Sequence, residues 1–172
     1  MSINRIKIEA KILSRDDDLT AFTCGRKPID DFIHCEAMDF QEQRLGVSYV
    51  FRYQEKIIGF LTLSMADLRT EKMLTTDKLK VGKENYPALQ VSQLAVCKGE
   101  RGKGIGTYLC DFSLAKAYQF SKKVGCRFLV LNSKANVVGF YEKYGFKLIP
   151  KQEGRREPLM FLNIFSKYYI DI

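Results

Sequence analysis

A glycine-rich run at residues 101–106, RGKGIG, has the residue types that bind a phosphate group. Successive backbone N–H groups in such a turn can all point at one anion, and a helix N-terminus behind it adds unpaired donors and a positive dipole end. Glycine is needed where a Cβ would hold phosphate oxygens away from the backbone. Arg101 and Lys103 add formal positive charge. The sequence therefore predicts a phosphate-binding loop.

Two common phosphate motifs do not fit this run. Gly99 and Gly104 have the Walker A spacing, but Ile105 stands where that motif needs lysine. The dinucleotide fingerprint GxGxxG also fails, because Leu109 stands where its last glycine should be. The pattern that remains is R-x-x-G-x-G, formed by Arg101, Gly104 and Gly106.

The elements around the loop follow from hydrophobic patterning. A strand is expected at 89–96, a loop at 97–104 and a helix from there to about residue 124. The predicted buried face of that helix consists of Ile105, Tyr108, Leu109, Phe112 and Ala115. A near-continuous apolar run, 126–131, predicts a central strand. A helix at 136–144 should end at Gly145, because glycine readily adopts the left-handed backbone conformation that often terminates an α-helix.

The rest of the chain completes a mixed sheet. Alternation predicts a strand at 4–12, and strands at 47–53 and 56–65 flank a tight turn at Gln54-Glu55. Pro28 opens a helix at 28–45, whose apolar face is formed by Ile29, Ile33, Ala37 and Phe40. Residues 67–86 are a long charged connection, and strands follow at 146–149 and 159–164. The order β-α-β-β-β-α-β-α-β-β predicts one mixed α+β (α/β) domain over residues 1–172.

Composition narrows the class of protein. No stretch approaches the roughly 20 apolar residues of a membrane helix, and MSINRIKIEAKIL lacks the apolar run of a signal peptide. We therefore expect a cytoplasmic protein. Its net charge of +8 favours polyanionic partners. The five cysteines are dispersed along the chain, so we expect free thiols. The one histidine, His34, is expected on the surface of a helix and cannot form a multi-histidine metal site.

Two segments carry a resemblance to a known family. LAVCKGERGKGIGTYL and, at 136–146, NVVGFYEKYGF resemble the signatures of the GCN5-related N-acetyltransferase (GNAT) family. The resemblance implies the GNAT fold, with a central, mostly antiparallel mixed sheet and helices on both faces, and acetyl-CoA as co-substrate. It also implies that the strand backbone lines the pantetheine arm and the loop binds the pyrophosphate. The corresponding residues are Leu94, Ala95 and Val96 in the strand, and Arg101, Gly102, Lys103, Gly104, Ile105, Gly106 and Thr107 in the loop and helix start.

The second segment supplies the reacting groups that the resemblance implies. Tyr141 matches the family tyrosine near the thioester sulfur, where a phenol can protonate the leaving thiolate. Tyr144 is the nearby alternative. Many relatives place an asparagine seven residues before the tyrosine; here Lys134 holds that position, and Asn136 is the nearest candidate for the cofactor contact.

The identity of the amine acceptor is less defined. AFTCGRKPIDDFIHCEAMDFQ and IIGFLTLSMADL are similar to the acetyltransferase toxins of toxin–antitoxin modules. That similarity implies acetylation of the α-amine of aminoacyl-tRNA, with an antitoxin and a second copy of the chain as partners. Protein N-termini, polyamines and other small amines remain alternatives. So does a non-catalytic nucleic-acid-binding or regulatory role.

Overall fold

The computed structural model describes residues 7–150, 152 and 154–166. The strands and helices follow one another along the chain in the predicted order. The strands are β1 (Glu9–Ile12), β2 (Val47–Tyr53), β3 (Lys56–Arg69), β4 (Asn85–Val96), β5 (Phe128–Asn132), β6 (Lys147–Leu148) and β7 (Leu159–Asn163). The α-helices are α1 (Lys27–Asp31), α2 (Ala37–Glu42), α3 (Ile105–Ser121) and α4 (Val138–Tyr144).

The strands form a seven-stranded mixed sheet in the order β1-β2-β3-β4-β5-β7-β6. β1 and β2, β2 and β3, β5 and β7, and β6 and β7 pair antiparallel, whereas β4 and β5 run parallel. A parallel pair needs a long crossover, and α3 lies in that connection. The predicted fold class, a mixed α+β protein with a mostly antiparallel sheet, is confirmed.

The chain forms two compact units. Unit 1 contains residues 1–64 and 92–112, and unit 2 contains residues 65–91 and 113–172. The core of unit 1 gathers Leu13, Phe22, Phe32, Ile33, Ala37, Val50 and Phe60, among others. The core of unit 2 gathers Leu68, Tyr86, Ala88, Phe128, Val130, Ile149 and Phe161, among others.

The helical region of unit 1 confirms its predicted apolar face. Ile33 and Ala37 are buried, and Ile29 and Phe40 pack against the same core. A π-helical segment, Phe32–Glu36, joins α1 to α2. The helix ends at Glu42 rather than at residue 45, since Arg44 has a left-handed φ of 61° that a helix cannot continue. His34 is exposed, as expected, and its Nε2 atom lies 3.0 Å from the Phe22 carbonyl oxygen.

Several predicted bounds were wrong. The strand predicted at 4–12 begins at Glu9; residues 4–6 lie outside the described residues. β3 continues to Arg69 and β4 starts at Asn85, so the connection expected at 67–86 is shorter and contains two 3-10 turns. The charged residues at the end of β3 made this stretch look like a loop in the sequence. In the structure they alternate with residues that pack on the unit 2 core, such as Ala66 and Leu68.

Helix α3 corrects one predicted core residue. Ala115 is exposed, whereas Ser113, Leu114 and Ala117 are buried. α3 also ends at Ser121, ahead of residue 124, and Gly125 follows with φ of 79°. Patterning alone misplaced the stripe because Ser113 is polar, yet it occupies the position four residues after buried Leu109.

Candidate active site

The predicted phosphate loop joins the end of β4 to the start of α3, as expected. Leu94, Ala95 and Val96 are the last three residues of β4. The strand is anchored directly after them, where the Cys97 N–H donates to the Ile58 carbonyl at 2.9 Å. A single 3-10 turn, Lys98–Glu100, then leads into the glycines. Strand end, loop and helix start therefore form one continuous segment of unit 1.

The loop glycines adopt a conformation that other residues disfavour. Gly102 has φ of 76° and Gly104 has φ of 80°. A Cβ built on Gly102 would meet no atom within 4 Å, so the space over this residue is open to a ligand. Both glycines therefore fit a backbone cradle for an anion.

The start of α3 supplies the donors. The Gly104 carbonyl accepts the Tyr108 N–H at 3.2 Å, which closes the first turn. In that turn the amides of Ile105, Gly106 and Thr107 have no acceptor within the helix. The positive end of the dipole of this 17-residue helix lies at the same place. A diphosphate ester fits this arrangement in both hydrogen bonding and charge.

Gly59 determines how closely α3 approaches the sheet. A Cβ on Gly59 would lie 3.1 Å from the Ala95 carbonyl oxygen and 3.2 Å from a Leu109 methyl group. A side chain there would push the first turns of α3 off β3. Sequence reasoning did not select this residue, although a glycine inside a strand is a known signal of close backbone approach.

The two cations of the loop have different partners. Lys103 forms an ion pair with Glu100 at 2.7 Å, and Lys56 adds a second cation 3.3 Å from the same carboxylate. These cations, Lys103 foremost, lower the pKa of Glu100 although burial opposes them. The Arg101 guanidinium donates instead to the Cys24 carbonyl oxygen. No carboxylate of the described residues forms an ion pair with it, so its charge is available to an anion.

The two candidate tyrosines lie in unit 2, on α4. Tyr141 and Tyr144 are both buried, and their rings pack on Phe146 with centroid distances of 5.6 and 5.9 Å. Gly145 ends the helix with φ of 120°, and the Tyr141 carbonyl accepts the N–H groups of Gly145 and Phe146. The predicted helix terminus is confirmed.

Asn136 lies in a 3-10 turn, Ala135–Val137, directly before α4, and it is exposed. Lys134, which stands where many relatives have asparagine, pairs with the Glu157 carboxylate. The Lys134 side chain therefore contacts Glu157, which is not the cofactor contact expected of an asparagine at this position. No group of three or more metal-ligating side chains occurs in the described chain.

The net charge of the protein resides in one unit. Unit 1 has 12 Lys and Arg against 12 Asp and Glu, whereas unit 2 has 16 against eight. The connection between β3 and β4, residues 70–84, contributes a net charge of +1, with four lysines against three carboxylates. Four exposed lysines there form no ion pair with any carboxylate that the structure describes: Lys72, Lys78, Lys80 and Lys83. Arg69 differs, since Glu71 lies 3.8 Å away.

The last observations on the described residues concern the helices and the cysteines. Across the described residues, none of the helices has the length and apolarity needed to cross a membrane. None of the five cysteines forms a disulfide, as the sequence predicted. Four of them are buried and Cys35 is exposed.

A glycine-rich loop that leads from a sheet strand into the N-terminus of a long helix is an arrangement suited to binding phosphate groups. Residues 44–148 match the acetyltransferase (GNAT) domain. The chain therefore belongs to the GNAT family of acetyltransferases, and it is an acyltransferase. Enzymes of this family use acetyl-CoA as co-substrate.

The chain is also similar to individual proteins and solved structures. The tRNA-acetylating toxin of Mycobacterium tuberculosis is 22% identical over 139 residues, which cover 80% of this chain and 83% of the toxin. AtaT in complex with acetyl-methionyl-tRNA superposes with a TM-score of 0.84 and 20% identity, over 93% of this chain and 96% of that one. A tyrosine-to-phenylalanine variant of KacT gives the same TM-score and coverage at 21% identity. This chain is thus a GNAT acetyltransferase similar to tRNA-acetylating toxins.

Proposed function

We propose that this acetyltransferase transfers the acetyl group of acetyl-CoA to the α-amine of an aminoacyl-tRNA. The observation that carries this proposal is the similarity, across 80% of the chain, to a tRNA-acetylating toxin. A second observation supports it independently, since the whole net charge of the protein lies in unit 2. A polyanionic substrate is attracted to such a surface.

The loop of unit 1 suits the donor. Acetyl-CoA supplies the acetyl group as a thioester. We infer that its pyrophosphate is held by the amides of 102–107 and by Arg101, which forms no ion pair with a carboxylate in the described part of the chain. The backbone of Leu94, Ala95 and Val96 would hold the pantetheine arm and polarise the acetyl carbonyl. Asn136 is the candidate for a further cofactor contact, and Lys103 contributes through its backbone because Glu100 holds its side chain.

Tyr141 is the proposed general acid. A phenol with a pKa of about 10 can protonate a thiolate whose conjugate acid has a pKa of about 8.5. The proton would come from the Tyr141 hydroxyl as the C–S bond breaks and the amine nitrogen bonds to the acetyl carbon. The tyrosinate would regain, by way of water, the proton that the nitrogen loses as it becomes an amide. Tyr144, which contacts the same Phe146 ring, is the alternative donor.

The amine must lose a proton to react, and the described side chains suggest how easily this occurs. An α-amine has a pKa of about 7.7–8.0, whereas a lysine side chain has one of about 10.4. The one histidine of the sequence, His34, contacts the Phe22 carbonyl at 3.0 Å. An acceptor that needs little deprotonation therefore suits this chain better than a lysine side chain does.

Four lysines that form no ion pair with a described carboxylate provide a candidate surface for the RNA backbone. Lys72, Lys78, Lys80 and Lys83 are exposed on the connection between β3 and β4. This connection is braced from below, because the Leu79 N–H donates to the Tyr86 hydroxyl at 3.0 Å and the Tyr86 ring stacks on Phe128 at 5.5 Å. Because these contacts hold the backbone of the connection in place, its exposed lysines are well placed to contact phosphate groups.

Three related inferences accompany the proposal. Residues 1–172 act as one GNAT domain, because the family match spans segments of both units. The protein works in the cytoplasm, where charged tRNA is found and where thiols stay reduced. Its protein partners are an antitoxin, as in the AtaT complex with the C-terminus of AtaR and acetyl-CoA, and a second copy of the chain.

The proposal is tested with labelled acetyl-CoA and a panel of acceptors. We expect label on aminoacyl-tRNA and none on the same tRNA after deacylation. Label confined to peptides or polyamines would overturn the acceptor and leave the acetyltransferase intact. Binding of tRNA without transfer to any acceptor would point to the non-catalytic role.

A further inference from the structure

Asp30 gathers three donors from a single turn of the chain. Its two carboxylate oxygens accept the Cys24 N–H at 2.7 Å, the Thr23 hydroxyl at 2.7 Å and the Gly25 N–H at 3.2 Å. Gly25 has φ of 74°, which lets the turn fold back over the carboxylate. Asp30 thereby fixes the peptide planes of residues 23–25.

The other side of this turn faces the phosphate loop. The Thr23 carbonyl accepts the Lys98 N–H at 2.8 Å, and the Cys24 carbonyl accepts the Arg101 guanidinium. A Cβ on Gly25 would touch the Lys98 side chain at 3.4 Å, so the two segments pack closely. Two peptide groups thus connect Asp30 to the loop. The Thr23–Cys24 peptide donates its N–H to Asp30 and accepts from Lys98 at its carbonyl, and the Cys24–Gly25 peptide donates to Asp30 and accepts from Arg101.

This arrangement orients Arg101 without neutralising it. A carboxylate in direct contact would hold the guanidinium and cancel its charge, as Glu100 does for Lys103. Here the negative charge of Asp30 is satisfied by backbone and hydroxyl donors, and the Arg101 guanidinium donates to a neutral carbonyl without an ion pair to any described carboxylate. The guanidinium keeps both a fixed direction and its full charge for a diphosphate.

We propose that Asp30 is a positioning residue for coenzyme A, acting through the Cys24 peptide on Arg101. The inference rests on the proposed binding of coenzyme A by residues 101–107. It also gives a physical reason for the segment TCGRKPIDD, in which Asp30 closes the turn that begins at Thr23.

The test is calorimetry with coenzyme A on the full chain. Asp30→Asn keeps the shape but replaces one accepting oxygen with a donor, and we expect the dissociation constant to rise about tenfold. Asp31→Asn is the matched control, since Asp31 is the neighbouring residue and pairs only with Lys27, at 2.7 Å, among the residues described. Its dissociation constant should stay within about twofold of the wild type.

A double-mutant cycle separates positioning from general damage. In an Arg101→Ala background, Asp30→Asn should weaken coenzyme A binding by less than about twofold, because its effect passes through Arg101. An equal loss in both backgrounds would overturn the proposal. In steady-state assays Asp30→Asn should raise KM for acetyl-CoA and leave kcat within about twofold, since a binding contact is lost and the reacting groups are not.

Thr23 decides the question if Asp30→Asn does not fold. Thr23 is exposed, and Thr23→Val removes the hydroxyl that donates to Asp30 and accepts the Gly25 N–H at 3.0 Å, whereas Thr23→Ser retains it. Weaker binding in the valine variant and wild-type binding in the serine variant support the proposal; equal binding in both refutes it. Failure of the wild type to bind coenzyme A would instead refute the proposed function of the loop.

Discussion

Gly59→Ala should destabilise the protein and weaken cofactor binding together. The added methyl group would lie 3.1 Å from the Ala95 carbonyl oxygen, 3.2 Å from Leu109 and 3.6 Å from Ile105. The first neighbour is backbone in β4 and the other two are buried residues of α3, so none can move away freely. Overpacking of this kind costs about 1–3 kcal/mol of the free energy of unfolding.

The same displacement reaches the cofactor loop. Ile105 is the first residue of α3, so relief of the contact moves the helix start that provides the loop amides. Urea unfolding should show a lower midpoint with an unchanged slope, and calorimetry should show weaker coenzyme A binding. Gly82→Ala is the control, because a Cβ there meets nothing within 4 Å; its stability should stay equal or rise slightly. A Gly59→Ala protein within about 0.5 kcal/mol of the wild type would refute the close-approach argument.

Three further predictions follow from the site and its surroundings. Tyr141→Phe should lower turnover by about 10²–10⁴-fold at nearly unchanged coenzyme A affinity; a normal rate, with loss in Tyr144→Phe instead, would transfer the acid role to Tyr144. Neutralising the four lysines of the β3–β4 connection should make the slope of log K for tRNA binding against log salt concentration shallower by up to about three. These residues are Lys72, Lys78, Lys80 and Lys83. Neutralising exposed cations of unit 1, namely Lys7, Lys27 and Arg44, should not change the slope in this way. Asp17 is desolvated, which alone would raise its pKa, but bonds from Lys11, the Ser14 amide and Arg52 hold that pKa below 3.8. Asp17→Asn should therefore cost about 1.5–3 kcal/mol at neutral pH, and the difference from wild type should vanish as pH falls below the folded-state pKa, where the wild-type carboxyl is protonated; a constant gap in acid urea titrations would contradict this.

Features with a local cause were predictable from the sequence. The Gln54-Glu55 turn joins β2 to β3 with φ of 48° and 63°, the conformation that a two-residue hairpin requires. Gly145 ends α4 because a left-handed residue can close the last helical turn. In both cases the interacting residues lie within a few positions of each other in the chain, so the local pattern of residue types is enough to predict the turn or the helix end.

Features that depend on distant packing were predicted less well. Ala115 looked like part of the buried face of α3, and the structure buries Ser113 in its place. β3 extends through Asp67 and Arg69 because the residues that alternate with them, Ala66 and Leu68, pack on the unit 2 core. A helix or strand shows its period in the sequence, but the part of it that is buried depends on which elements cover it.

The sequence by itself determined the class of the loop, because the order of arginine and glycines in R-x-x-G-x-G is a property of contiguous backbone. It also determined the family, through two segments read in order. Only the tertiary structure distinguished the two cations of that loop: Lys103 is paired with Glu100 three residues away, whereas Arg101 reaches Cys24, 77 residues distant in the chain. Hydrogen bonds and charge pairs of this kind are formed by approach in space, and the availability of a charge for a ligand is decided by those partners.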